Sequence, residues 1–166
     1  MPLFCVLPPF LKTTYTDNVR IMNHCIIAYL DEIFPTPSLL PADAAHRATV
    51  RSIAQLIACE MHPLNNLRVL KYLRQELKQD EVAVDGWYRH WVAIGFKALE
   101  KFINNTNDSQ YCHGNSVTLA DVCLVPQMFN ARRFACDLTP YPKLVRIVER
   151  LETLEGQEIN DAKKIL

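Results

Sequence analysis

The sequence has few glycines and no apolar run long enough to cross a membrane. Its 166 residues include 4 glycines, and many of its 10 prolines interrupt apolar stretches. A membrane-spanning helix needs about 18 or more consecutive apolar residues, so we expect no membrane partner. The first residues of the chain are apolar, but prolines interrupt them and they lack the basic segment with which a secretory signal peptide begins. These absences favour a cytoplasmic protein.

An excess of charge of one sign is also absent. Lysine and arginine total 18, aspartate and glutamate total 18, and the formal net charge is +0. Proteins that bind nucleic acids usually carry a cationic surplus that neutralises phosphates. We therefore expect no nucleic-acid partner.

Patterns of paired reactive residues are missing as well. None of the 6 cysteines forms a CxxC pair or a Cys/His cluster with zinc spacing, so we expect buried free thiols, a reducing compartment and no metal site. No Ser/His/Asp set and no glycine-rich phosphate loop is found. Four histidines are isolated in the sequence and are interpreted as surface or core residues: His24, His46, His90 and His113.

The residues that are present favour a mainly helical protein. Apolar residues make up 49% of the chain, and they recur at the spacing of one helix face. The proline-rich stretch after Phe34 is stiff and extended, because each proline restricts its own backbone and that of the preceding residue. We divide the chain into an N-terminal segment (1–34), a linker (35–42) and an all-helical domain (43–166).

Within the helical domain we expect about five helices, two of them long. A helix capped by Asp43 is predicted to bend at Ala58–Cys59, because Pro63 removes a backbone hydrogen bond and crowds the preceding turn, and then to continue through Leu73. A second long helix is predicted over 86–104, and the last helix is predicted to end at Gly156.

The sharpest local signal is a helix start at Thr118. The Thr118 hydroxyl and the Asp121 carboxylate have the spacing of a capping box, in which each side chain bonds the other residue's backbone amide. The following residues are apolar on most sides, so this helix should be buried. We therefore interpret Thr118 and Asp121 as structural residues.

Several motifs resemble one protein family in the same order. The run 111–127 resembles the buried-helix motif of glutathione S-transferases, and the segments 62–70, 130–134 and 137–142 resemble the zeta class of that family. The resemblance implies a thioredoxin-like N-terminal domain, of which 1–34 is a short remnant, and a C-terminal helical bundle. Loss of the rest of the thioredoxin-like domain should expose the apolar surface that it covers and promote self-association, so we expect a homodimer.

The resemblance further implies a glutathione-dependent reaction, the cis–trans isomerisation of maleylacetoacetate to fumarylacetoacetate in tyrosine and phenylalanine breakdown. A thiolate adds to the conjugated double bond, the bond rotates, and elimination restores the alkene. The family's serine/cysteine motif that activates the thiol has no counterpart here, so no catalytic residue is assigned in this chain.

The binding residues are carried over from the family by position. Arg133 is expected to hold a carboxylate of the dicarboxylate substrate; otherwise it is a surface residue favoured by the helix dipole. His62 and Asn66, at helical spacing and hence on one face, are expected on the glutathione side, or else form a polar pair that stabilises the kink. Leu67, Arg68 and Asn23 complete the expected glutathione-binding set.

Two other functions stay open at this stage. The chain is either an enzyme of this class or a non-catalytic helical module that dimerises or scaffolds. Within the class, glutathione-dependent dehalogenation of small halo-acids is a chemical variant of the same reaction.

Overall fold

The computed structural model describes residues 23–104 and 109–165, and every regular element in these ranges is a helix. The side chains of Asn23, His24, Asn104 and residues 155–165 lie outside this description. The mainly helical fold predicted from the sequence is confirmed. Backbone contacts divide the chain into two compact units, 1–39 and 40–166.

The first unit contains helix α1, Asn23–Ile33. The helix ends just before Pro35, whose ring disfavours helical backbone in the residue ahead of it. The Asp31 carboxylate accepts a hydrogen bond from the Leu39 N–H at 2.7 Å, which fastens the proline-rich stretch to α1. Residues 1–22 of the predicted thioredoxin-like remnant lie outside the described residues.

Among its described residues, the second unit contains five α-helices and one π-helix, close to the expected number of helices. Of the two helices predicted to be long, the one over 86–104 is long, whereas the one predicted from Asp43 through Leu73 is divided into shorter helices. The two longest, α4 (Glu81–Asn104) and α6 (Pro142–Ile165), have 24 residues each. In chain order the elements are α2 (Ala44–Gln55), the π-helix (Leu56–Met61), α3 (Leu67–Gln75), α4 (Glu81–Asn104), α5 (Leu119–Arg133) and α6 (Pro142–Ile165).

Helix α5 lies in the core of this unit, where it packs against α2, the π-helix and α6. Its side chains Leu124 and Met128 are fully buried. A polar contact joins the two long helices, because the Glu100 carboxylate accepts hydrogen bonds from the backbone N–H groups of Lys143 and Leu144, both at 3.0 Å. Glu100 thus caps the start of α6 from another helix.

The helix distortion ahead of Pro63 takes a form that differs from the prediction. A π-helix covers Leu56–Met61, including the predicted site Ala58–Cys59, and its widened turn lets the His62 N–H donate to the Ile57 carbonyl at 3.0 Å. A wider turn relieves the clash that a proline ring makes with an α-helical carbonyl. The predicted continuation through Leu73 is wrong, because the chain turns over 62–66 and a new helix begins at Leu67.

Two predicted helix ends are also wrong. Helix α4 begins at Glu81 and not at Gly86, because the Asp80 carboxylate accepts from the Ala83 N–H at 2.8 Å and provides an earlier cap. Helix α6 continues past Gly156 to Ile165. A single glycine inside a helix costs about 1 kcal/mol, which neighbouring helix-forming residues can offset.

The cysteines in the described ranges are free, but they are not all buried. Cys112 is buried, whereas Cys25 and Cys59 are exposed, so the expectation of buried thiols is wrong for these two. Across the described residues, none of the helices combines the length and the apolar character that a bilayer span requires.

Candidate functional site

The turn over 62–66 joins the π-helix to α3 and contains two of the predicted binding residues. His62 closes the π-helix and is half-buried, and desolvation lowers the pKa of its imidazole. Asn66 is the N-cap of α3, and its side-chain oxygen accepts from the Arg68 N–H at 3.1 Å. The two residues therefore do not share a helix face as predicted, because no single helix includes both.

Leu67 and Arg68 form the first turn of α3. Leu67 is 57% exposed, and Arg68 is also exposed. The first turn of α3 therefore offers both an apolar side chain and a guanidinium to solvent. Such a surface suits a ligand that carries both a carboxylate and apolar atoms.

Asn65 connects the turn to helix α4, and the sequence reasoning missed it. Its side chain is buried, and its Nδ2 donates to the Tyr88 carbonyl at 3.5 Å. The carbonyl of Leu64 in the same turn accepts from the Trp87 indole N–H at 2.9 Å. Two consecutive residues of the turn thus bond consecutive residues of α4, which fixes the turn's position on that helix.

Arg133 lies at the end of α5, and an aromatic stack links it to α4. Its guanidinium carbon is 6.0 Å from the centre of the Phe134 ring. The Phe134 ring stacks on Tyr88, with centroids 3.7 Å apart and planes 8° from parallel. Burial raises the pKa of Tyr88 to about 12 although the nearby Arg133 opposes the shift, so the phenol is neutral.

The structure thus connects the two predicted halves of the site through Tyr88. Its carbonyl accepts from Asn65 in the turn, and its ring stacks on the residue after Arg133. The turn over 62–66 and Phe134 therefore both contact Tyr88 of α4, whereas the neighbouring Arg133 is exposed. The side chain of Asn23, also predicted to bind glutathione, lies outside the described residues.

A small cavity lies between α4 and the segment that follows α5, and no sequence pattern indicated it. It has a volume of about 340 Å³. Arg89 forms part of its wall and donates to the Phe134 carbonyl at 3.4 Å. The lining is mostly apolar, and it consists of Arg89, Val92, Ala93, Cys136, Asp137, Pro140 and Tyr141.

Thr118 and Asp121 lie at the start of α5, where they form a capping box. The Asp121 carboxylate accepts from the Thr118 N–H at 2.8 Å and from the Thr118 hydroxyl at 2.7 Å. Its other oxygen accepts from the Cys112 N–H at 2.8 Å. Asp121 therefore fixes the preceding loop as well as the helix, a contact that the local pattern did not indicate.

Two of the histidines interpreted as isolated are in contact, so that interpretation is wrong for His46 and His113. Their ring nitrogens are 2.9 Å apart although 67 positions separate them in the chain. A pair brought together only by tertiary packing leaves no spacing pattern in the sequence. Among residues 23–104 and 109–165, no group of three or more metal-ligating side chains is found.

Comparison with known proteins defines the family. The pattern of the family "Glutathione S-transferase, C-terminal domain" matches residues 64–156. A Vibrio cholerae protein named probable maleylacetoacetate isomerase is 46% identical over 149 residues, which are 89% of this chain and 69% of that protein. The chain belongs to the glutathione S-transferase family.

Two solved structures narrow the class. A bacterial maleyl pyruvate isomerase described as a zeta-class glutathione S-transferase superposes with a TM-score of 0.77 at 43% identity, covering 79% of this chain and 62% of that one. The maleylacetoacetate isomerase of Anaeromyxobacter dehalogenans, solved with dicarboxyethyl glutathione and citrate in its active site, gives 0.73 at 38% identity, covering 79% and 58%. The zeta-class resemblance and the helical bundle of the glutathione S-transferase C-terminal type are confirmed.

Proposed function

We propose that the chain is the helical part of a glutathione-dependent isomerase that converts maleylacetoacetate, or a closely related dicarboxylate, from cis to trans. The main support is the connection from the turn over 62–66 through Tyr88 and Phe134 to Arg133. The donors suited to a peptide, in the turn, and the cation suited to a carboxylate, on Arg133, are thereby both linked to Tyr88 of α4. The names of the relatives support the same reaction class.

Glutathione would contact the turn and the start of α3. Its carboxylates suit the exposed guanidinium of Arg68, and its apolar atoms suit the exposed side chain of Leu67. His62 and Asn66 would add hydrogen bonds from the turn. We assign Asn23 to the γ-glutamyl end of glutathione by its position in the family alone.

Arg133 would orient the substrate. A guanidinium can hold a carboxylate through two parallel hydrogen bonds, and the Phe134–Tyr88 stack beside it provides a firm apolar surface. In this proposal Arg133 binds one substrate carboxylate while the glutathione thiolate adds to the double bond.

Thiolate formation needs hydrogen-bond donors directed at the sulfur atom. The sequence contains no match to the serine/cysteine motif that fills this role in the family, so we assign no catalytic residue here. The chain covers 53–62% of several curated relatives. We therefore expect the 166-residue chain alone to bind glutathione weakly.

A glutathione derivative whose sulfur already carries a substituent needs no thiol activation, so its affinity tests the binding site alone. We would titrate dicarboxyethyl glutathione into the chain by calorimetry and repeat the titration with the Arg133→Met and Arg132→Met variants. Arg132 is the matched control, because it is the neighbouring arginine and pairs with Glu152 on the surface. We expect Arg133→Met to weaken binding about 10-fold or more, since a charged hydrogen bond contributes about 1.5–3 kcal/mol, and Arg132→Met to leave it unchanged.

The titration has two outcomes that would contradict the proposal. One is the absence of measurable binding of the adduct to the parent chain. The other is an equal loss of affinity in both arginine variants, which would show that general surface charge and not Arg133 holds the ligand. An assay with glutathione and maleylacetoacetate then measures turnover directly.

A second candidate function is a helical module that assembles into dimers, and one observation favours it. Ile94, Ala98 and Phe102 are exposed on α4 at intervals of four residues, with Ile94 49% and Phe102 44% exposed. An apolar stripe of this kind is typical of a helix that packs against a partner. We propose a homodimer in the cytoplasm. Light scattering coupled to gel filtration would detect it, and Ile94→Glu should shift it toward monomer.

A further inference from the structure

His46 and His113 come from distant parts of the chain and meet at the surface of the second unit. His46 lies in the first turn of α2, and His113 lies in the loop before α5. Nδ1 of His46 is 2.9 Å from Nε2 of His113, and the ring planes are tilted by 48°. His46 is exposed and His113 is partly buried.

The 2.9 Å between these nitrogens is the length of a hydrogen bond between the two rings, and it also equals the spacing of two ligands in one kind of metal geometry. Two imidazole nitrogens at about 2.0–2.1 Å from a metal ion lie about 2.9 Å apart at a right angle, but about 3.3 Å apart at a tetrahedral angle. Right angles between ligands are typical of square-planar, tetragonal and octahedral ions such as Cu²⁺ and Ni²⁺. We propose that His46 and His113 form a two-histidine chelate for a divalent transition-metal ion of this type.

A ring nitrogen binds a metal ion through its lone pair, so one nitrogen of each ring must be unprotonated. The exposed His46 ring can carry its proton on Nε2, and a small rotation of the ring would turn its Nδ1 lone pair toward an ion shared with His113. His113 would then carry its proton on Nδ1, which is buried and has no hydrogen-bond partner among the described residues.

The surrounding charges suit a cation. Asp43 interacts electrostatically with His46, as Asp121 does with His113. The guanidinium of Arg47 donates to the carbonyls of Pro41 and Ala42 and is held by those contacts. Since no third ligating side chain joins the pair in the described residues, water would occupy the other positions.

Bound metal would link two parts of the fold through these side chains, in place of the hydrogen bond between them. The first turn of α2 would be joined to the loop that Asp121 holds through the Cys112 N–H. A ligand that binds only the native state raises its stability in proportion to the logarithm of ligand concentration. We therefore expect the melting temperature to rise with metal concentration.

The experiment uses the whole chain and Ni²⁺ as the probe, with calorimetry for affinity and thermal unfolding for stability. The variants are His46→Gln, His113→Gln and, as the matched control, His90→Gln, which removes an exposed histidine on α4. The exposed cysteines are common to all four proteins, so their contribution cancels in the comparison. Copper(II) electron paramagnetic resonance would count the coordinated imidazole nitrogens.

We expect one Ni²⁺ per chain, with affinity reduced about 10-fold or more in His46→Gln and His113→Gln. Loss of a residue that only supports a ligand already costs that much. His90→Gln should bind like the parent chain. Unchanged affinity in His46→Gln would overturn the proposal, and so would an equal loss in His90→Gln. Because His46 is exposed, its variant decides the matter even where His113→Gln fails to fold.

Discussion

Replacing Asp121 with alanine should destabilise the protein far more than loss of an ordinary helix cap. The carboxylate accepts three hydrogen bonds, from the Thr118 N–H, the Thr118 hydroxyl and the Cys112 N–H. Thr118 is 2% exposed and Cys112 is 0% exposed, so water cannot replace the lost acceptor. The hydroxyl can rotate toward another acceptor, but the two amides cannot.

The expected loss follows from those two amides. A buried donor left without a partner costs about 1–3 kcal/mol, so loss of the acceptor for both amides in Asp121→Ala should lower the free energy of unfolding by about 2–6 kcal/mol. That is a large share of the roughly 5–15 kcal/mol that stabilises a typical domain. Asp121→Asn keeps one acceptor oxygen and should fall between the parent and the alanine variant.

Urea unfolding followed by circular dichroism would measure these differences. Asp43→Ala is the matched control, because Asp43 caps α2 through the Ala45 and His46 amides but is exposed to solvent. Loss of an exposed cap costs about 1 kcal/mol. Equal destabilisation by Asp121→Ala and Asp43→Ala would refute the argument, because burial of the orphaned amides would then have no measurable effect.

Three further predictions concern packing, pH and thiol reactivity. A Cβ on Gly95 would lie 2.4 Å from the Met61 side chain, so Gly95→Ala should lower the free energy of unfolding in urea by about 1–3 kcal/mol. The control Gly86→Ala, whose Cβ meets nothing within 4 Å, should not destabilise the protein. Equal effects of the two substitutions would contradict this prediction. Burial lowers the pKa of His62, so below about pH 6.5 the unfolded chain binds more protons than the folded chain, and the stability falls as the pH drops. His62→Gln should make the stability less dependent on pH in this range. An unchanged slope of stability against pH would contradict this prediction. Burial raises the pKa of the Cys112 thiol, whereas Cys59 is exposed. A disulfide reagent should therefore modify Cys59 quickly and Cys112 only on unfolding. In Cys59→Ser, one thiol fewer per chain should react in the fast phase.

The sequence predicted a helix boundary correctly where the residues that form it lie within one turn of each other. The capping pattern at Thr118 and Asp121 matches the observed start of α5, because both residues lie within one turn. The predicted start of α4 lies five residues after the observed one, because the charged stretch before Gly86 resembles a loop and the cap at Asp80 lies within it. A charged sequence indicates exposure to solvent, but it does not distinguish an exposed helix from a loop.

The site was harder to predict, because tertiary contacts create it. Nothing in the sequence indicated that Asn65 bonds the Tyr88 carbonyl or that Phe134 stacks on the Tyr88 ring. The same holds for the contact between His46 and His113. Helical spacing gave a wrong relation between His62 and Asn66, because the helix ends at Met61, before both residues.

The wide turn of the π-helix has a consequence for insertions and deletions in this family. Each residue of an α-helix advances the chain by about 100° around the helix axis. The π-helix over Leu56–Met61 accommodates an extra residue in its wide turn, so deleting one residue there would restore ordinary winding with little rotation of the turn that follows. A one-residue deletion within α2, where no wide turn absorbs the change, would instead rotate that following turn by about 100°.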